Sequence, residues 1–193
     1  MTFLFIDHYD SFSYNLTNWF VAKGIDLKIL SYKDIHNLTD LREFEAIIFS
    51  PGPGHPCEYI GSIELYKKIP ANIPFLGVCL GHQIFLLAEG GKIEQMSRIP
   101  IHGRQVEIID PLKSLHFKKN SPNGTVVLYN SLGCKSSDPV FTKNVVSLAE
   151  ENGFSLMAEH KLHRRFGVQF HPESFASPGG ETFLNAFLGT VKC

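Results

Sequence analysis

The sequence predicts an α/β fold: an open, mostly parallel central sheet with flanking helices, leading into a β-rich second half. Three observations carry that reading. Short apolar runs alternate with stretches of helical spacing as far as Gly91, the order of successive strand–helix units. One of these runs, Ile73–Val78, is largely apolar, as strands covered on both faces of a parallel sheet are. From Val106 onward strand-like runs follow one another across turn-rich segments, which suggests mixed or antiparallel pairing.

Thr2–Ile6 is the first strand, Asp7–Ser13 a polar loop, and Tyr14–Lys23 an amphipathic helix that Gly24 ends. Leu27–Leu30 and Ala46–Phe49 repeat the strand signal, Ile60–Ile69 has helical spacing, and Ile73–Val78 is a largely apolar strand. A short helix begins beside Cys79 and closes at Gly90-Gly91, because glycine accepts the left-handed conformation at a helix C-terminus. Val106–Ile109, Val126–Leu128, Val145–Ala149, Leu156–Ala158 and Gly167–Phe170 read as strands, with Ser121-Pro122-Asn123-Gly124 as one of the turns between them. A last helix, Glu181–Leu188, follows Ser177-Pro178-Gly179-Gly180 and stops at Gly189. With no repeat, linker or low-complexity segment, residues 1–193 read as one domain.

A hydrophobic content of 44% gives 193 residues enough material for a core, and a net charge of −1 excludes a generally basic nucleic-acid surface. No apolar run approaches the roughly 20 residues of a membrane span, so no membrane partner is expected. The N-terminal run lacks a basic flank and meets Asp7 early, as a strand does and a signal peptide does not. Cys57, Cys79, Cys134 and Cys193 show no paired spacing, which fits a reducing cytoplasm. The histidines lack metal-ligand spacing, so neither metal nor cofactor is expected. The basic run His160, His163, Arg164 and Arg165 reads as a solvated turn.

In an open α/β sheet, ligands collect where parallel strands end, so Asp7–Ser13, Pro51–Pro56 and Cys79–Gln83 should share one edge. Cys79 lies in Gly77-Val78-Cys79-Leu80-Gly81, where a strand gives way to a helix. That turn lifts a thiol clear of the sheet, its glycines admit strained backbone, and the helix N-terminus favours thiolate and oxyanion alike. His171-Pro172-Glu173 supplies a base with an ordinary pKa of about 6.5 and a carboxylate to orient it; Pro172 should extend His171, so that both side chains point the same way. Pro51-Gly52-Pro53-Gly54 can hold a backbone N–H toward a substrate. Gly52 and Leu80 are therefore the candidate oxyanion donors.

Together these motifs resemble the class I (triad) glutamine amidotransferases along the whole chain. Asp7-His8-Tyr9-Asp10-Ser11-Phe12-Ser13-Tyr14-Asn15 and His82 are similar to one branch of them, the small subunits of anthranilate synthase and aminodeoxychorismate synthase. The resemblance implies a glutaminase in which Cys79 forms a thioester with the γ-acyl group of glutamine, aided by His171 and Glu173. It also implies oxyanion donors at Gly52 and Leu80 and substrate contacts at Gly52, Pro53, Gly54, Gln83, Ser131 and Leu132. Asp10, Ser11, His102, Gly103 and Arg104 would face the partner, a chorismate-using synthase subunit: anthranilate synthase component I or aminodeoxychorismate synthase component I. Ammonia would pass to that partner by a sealed route. One departure is Tyr129-Asn130-Ser131-Leu132, where this branch commonly has Tyr-His-Ser-Leu. The alternative is a stand-alone γ-glutamyl hydrolase or other cysteine hydrolase on the same fold.

Overall fold

The computed structural model describes residues 1–96, 101–109, 114–117 and 123–192. Ser121 and Pro122 of the expected turn, and Cys193, lie outside them. The chain runs β1 (Thr2–Asp7), α1 (Ser13–Ala22), β2 (Asp26–Ser31), β3 (Ala46–Phe49), α2 (Ile60–Lys68), β4 (Phe75–Val78) and α3 (Leu80–Ala88). It continues with β5 (Ile93–Gln95), β6 (Arg104–Ile108), β7 (Gly124–Leu128), β8 (Leu132–Cys134), β9 (Val145–Glu151), β10 (Phe154–His160), β11 (Arg165–Val168) and α4 (Gly180–Val191).

The central sheet has the order β2-β1-β3-β4-β11-β10-β9. The first five are parallel; β10 and β9 are antiparallel additions at the far edge. Successive residues of a strand point to opposite faces, and here both faces are covered. Phe3 and Phe5 pack with Leu16 and Phe20 of α1 and with Phe183 and Phe187 of α4. Leu4 and Ile6 pack on the other side, with Leu65 and Tyr66 of α2 and with Ile84 and Phe85 of α3. Double coverage is the physical reason that the inner strands β1, β3 and β4 read as continuous apolar runs, whereas the edge strand β2 is largely exposed.

Most boundaries fall within two residues of expectation, the ordinary uncertainty of element ends. Two differ for identifiable reasons. The strand expected at Gly167–Phe170 is β11 and ends at Val168, because its neighbour β4 ends opposite it at Val78, and the Cys79 N–H closes the ladder on the Val168 carbonyl at 2.8 Å. Helix α4 does not stop at Gly189 but runs on to Val191, since Leu188 and Val191 both still pack on the core. The three-residue strands β5 and β8, which pair antiparallel, are too short to leave a periodic signal. Nor is the basic run solvated: Arg165 is buried in β11 and donates to the Ile69 carbonyl at 2.7 Å, and Arg164 donates to the carbonyls of Thr190 and Asn72. Among the described residues, no helix is long and apolar enough to cross a membrane.

Candidate active site

The loops after β1, β3 and β4 meet, as expected, in a cleft of about 440 Å³. Its lining includes Asp10, Ser11, Gly52, Pro53, Gly54, Cys79, Gln83, His102, Ser131, Leu132 and His171, all from the sequence reading. Phe12, Tyr129 and Asn130 line it as well.

Cys79 occupies the junction of β4 and α3 with φ 51° and ψ −101°, a conformation that costs a non-glycine residue about 1–3 kcal/mol. The surroundings enforce it. Its N–H is tied to Val168, and its carbonyl accepts from the Gln83 N–H at 3.1 Å. The flanking glycines serve a different purpose from the expected one: the strain is carried by Cys79, while Gly77 and Gly81 permit close approach. A Cβ on Gly77 would stand 2.4 Å from the Gly81 oxygen, and one on Gly81 would stand 2.4 Å from the Phe49 oxygen.

The parallel pairing of β11 with β4 brings His171 to the same edge. Its N–H donates to the Val127 carbonyl at 3.0 Å, and its ring Nδ1 donates to Glu173 Oε1 at 2.7 Å. The two side chains are neighbours because residues 171–174 close a turn, with the Ser174 N–H on the His171 carbonyl at 3.2 Å, and not because the segment is extended. Proline after the first residue of such a turn sets its bend. Phe12 and Tyr129 grip the imidazole, with ring centroids 4.9 and 5.2 Å away. Its Nε2 has no hydrogen-bond partner among the described residues and shares the cleft with the Cys79 sulfur. Burial alone would lower the His171 pKa; the adjoining Cys79 sulfur and Glu173 reverse this and hold it well above 6.5. Burial pushes the Glu173 carboxyl up from its ordinary value, opposed by the hydrogen bond from His171. The site is therefore built to keep an imidazolium opposite the sulfur.

The Pro51–Gly54 loop rests on a buried polar knot. His8 Nδ1 lies 3.3 Å from Ser50 Oγ and Nε2 3.0 Å from Ser62 Oγ; Ser50 Oγ donates to the Pro51 carbonyl at 2.6 Å, and Tyr59 Oη to the Pro53 carbonyl at 2.8 Å. Burial lowers the His8 pKa to about 3, so its ring is neutral. Gly52 packs so tightly on His8 and Leu80 that a Cβ there would stand 2.6 Å from His8 Cβ and 2.4 Å from Leu80 Cδ2. Backbone N–H groups fixed to this degree can serve a developing oxyanion.

On the opposite wall, Gln83 Nε2 donates to the Leu132 carbonyl at 2.9 Å and to Gln169 Oε1 at 3.1 Å. Asn130 Nδ2 donates to the same Leu132 carbonyl at 2.8 Å, so the amide in the departing position braces the Ser131–Leu132 segment. His102 reaches the cleft, and Gly103 adopts φ 71° beside Tyr129. Arg104 is instead engaged within the chain by Glu151. Phe12 and Tyr129, which lie inside the quoted motifs, and Gln169, two residues before His171 and just past the end of β11, are not among the site residues the sequence predicts.

Comparison with known proteins agrees with this geometry. The family model described as glutamine amidotransferase class-I matches residues 4–191. Anthranilate synthase component 2 of Methanothermobacter thermautotrophicus is 33% identical over 196 residues, covering 96% of this chain and 97% of that protein. The protein of the same name from Porphyra purpurea is 34% identical, with 96% and 97% covered. The chain also matches the bifunctional protein TrpGD of Thermotoga maritima at 32% identity, spanning 31% of its length. Among solved structures, a glutamine amidotransferase from Thermotoga maritima shares the fold at a TM-score of 0.73 with 18% identity, covering all of this chain and 84% of that one.

Proposed function

The chain belongs to the class I glutamine amidotransferases, and from that premise we propose that it is the glutaminase subunit that feeds ammonia to a separate chorismate-using synthase. The observation that carries the reading is the meeting of Cys79, His171 and Glu173 at the edge where the parallel strands end. A nucleophile, its proton carrier and the group that orients the carrier are then in one place.

In this mechanism the Cys79 thiolate attacks the γ-carboxamide carbon of glutamine, and the N–H groups of Gly52 and Leu80 receive the oxyanion. His171 gives its proton to the departing nitrogen; the C–N bond breaks, ammonia leaves and a γ-glutamyl thioester remains. Neutral His171 then takes a proton from water, the hydroxide adds to the thioester, and glutamate and thiolate are regenerated. Glu173 and the Phe12–Tyr129 pair hold the imidazole in one orientation throughout. Gln83, Ser131 and Leu132 border the end of the cleft suited to the α-amino and α-carboxylate groups, and Pro53 and Gly54 form the facing wall.

Residues 1–193 act as a single cytoplasmic amidotransferase domain in this reading. The relatives named anthranilate synthase component 2 favour an anthranilate synthase component I partner, and disfavour the stand-alone γ-glutamyl hydrolase; aminodeoxychorismate synthase component I is the other candidate. Asp10, Ser11 and His102, at the rim, would face the synthase. The test is glutamate release from glutamine by the purified chain, alone and with each synthase, with Cys79→Ala as control. Stimulation by one synthase, lost in the variant, supports the assignment; equal hydrolysis with and without any synthase overturns it in favour of a stand-alone hydrolase.

A further inference from the structure

Gln169 has no place in the triad, yet it is fully buried and its side chain ends at the nucleophile. Its Nε2 donates to the Cys79 sulfur at 3.6 Å, and its Oε1 accepts from Gln83 Nε2 at 3.1 Å. The other bond of Gln83 Nε2 goes to the Leu132 carbonyl on the cleft wall. The two amides are thus oriented head to tail, each N–H pointing along the chain, so that polarising one strengthens the donor of the next.

We propose that Gln169 is a catalytic residue that holds the Cys79 sulfur as a thiolate and fixes its direction, its own amide being set by Gln83 and, through Gln83, by the cleft wall at Leu132. The proposal deepens the glutaminase reading and rests on Cys79 being its nucleophile. A hydrogen bond made to the charged form of a group favours that form. A buried amide N–H with the sulfur as its acceptor is also left orphaned whenever the sulfur turns away, which penalises non-productive rotamers. The groups that face the sulfur are few. His171 comes from the turn after β11, with Glu173 behind it and Asp10 close enough to act on Glu173; His102 lines the cleft, and His82, three residues past Cys79 on α3, is fully buried. Gln169 adds the uncharged donor to this set. Because Gln83 Nε2 divides its two N–H groups between the Leu132 carbonyl and Gln169 Oε1, a shift of the proposed substrate-binding segment would be felt at the nucleophile without altering His171 or Glu173.

The test is the pH dependence of Cys79 alkylation by iodoacetamide on the full chain, read on the Cys79 peptide by mass spectrometry so that the exposed Cys57 does not contribute. Gln169→Met, similar in volume but with no donor, is expected to move the profile up by about one pH unit, a tenfold loss of reactivity on its rising limb. Gln83→Met should move it the same way by less, and either variant alone decides the matter if the other does not fold. A profile that superimposes on the parent's in a folded variant overturns the proposal. Neither glutamine nor a synthase enters this assay, so its failure and the failure of the glutaminase reading are separately visible.

Discussion

Gly52→Ala tests the proposed oxyanion role of the Pro51–Gly54 loop separately from the rest of the site. An added Cβ would fall about 1 Å inside ordinary contact distance of both Leu80 Cδ2 and His8 Cβ. The Leu80 methyl belongs to a side chain with almost no exposed surface, and His8 is clamped by stacking on Tyr32 and by both serine hydroxyls, so neither neighbour can yield freely. The loop itself must move, and it carries the Gly52 N–H away from the position proposed for the oxyanion. Loss of one such donor typically costs about 2.7–4 kcal/mol, or roughly 10²–10³ in turnover. The assay is synthase-activated glutamate release. The kcat of Gly52→Ala should fall by that factor with KM changed only a few-fold, because the donor acts on charge that develops after binding. Near-UV circular dichroism would verify that the core persists. A folded variant with kcat within about threefold of the parent would refute the oxyanion role of this loop.

Acid should destabilise the fold through two of its buried histidines, His8 and His82, whose pKa values burial lowers from 6.5 to about 3. The unfolded chain takes up both protons near pH 6.5 while the folded chain refuses them until about pH 3. The stability tied to their neutrality is therefore intact above pH 6.5 and lost on acidification, at about 1.4 kcal/mol per pH unit for each histidine. Urea denaturation at pH 6, 5 and 4 should show that slope, and His82→Leu should remove about half of it; equal stability at the three pH values would contradict the burial argument. Glu173→Gln should lower kcat by about 10–10² and bring the alkaline limb of the pH–rate profile down, since the carboxylate helps hold the His171 proton. A profile unmoved on its alkaline side would confine Glu173 to packing. The strained backbone of Cys79 predicts that Cys79→Gly is more stable than Cys79→Ala by about 1 kcal/mol, although both lack the sulfur. Thermal melts in the opposite order would show that the backbone there is unstrained.

The parts of the site legible in the sequence are those encoded locally. Gly77-Val78-Cys79-Leu80-Gly81, Pro51–Gly54 and His171–Glu173 each state a turn chemistry within a few residues, and an apolar strand run precedes each. The rule that ligands gather at the ends of parallel strands then brings two of the three loops together before any coordinates are known. Distant pairings are another matter. No local signal tells that β11 lies beside β4, some 90 residues earlier in the chain, yet that register sets Gln169 and His171 next to Cys79. The cluster of Phe12, His171 and Tyr129 draws on three separate segments, and no local pattern in the sequence joins them. Glycine is ambiguous in a different way. It signals either left-handed backbone or close approach, and only coordinates show that Gly77 and Gly81 are of the second kind. Arg165 misled for a related reason: a basic run says nothing of the carbonyl and aromatic partners, Ile69 and Tyr66, that bury it.

In the proposed mechanism the sulfur of Cys79 carries the acyl group of glutamine. Its most direct test is to mix the chain and its synthase with glutamine, quench in acid within a turnover, and measure the mass of the Cys79 peptide. The mechanism predicts a γ-glutamyl adduct on that peptide that accumulates and decays with glutamate release, and that is absent from Cys79→Ala. Glutamate released at the full rate with Cys79 never modified, or release that persists in Cys79→Ala, would contradict it.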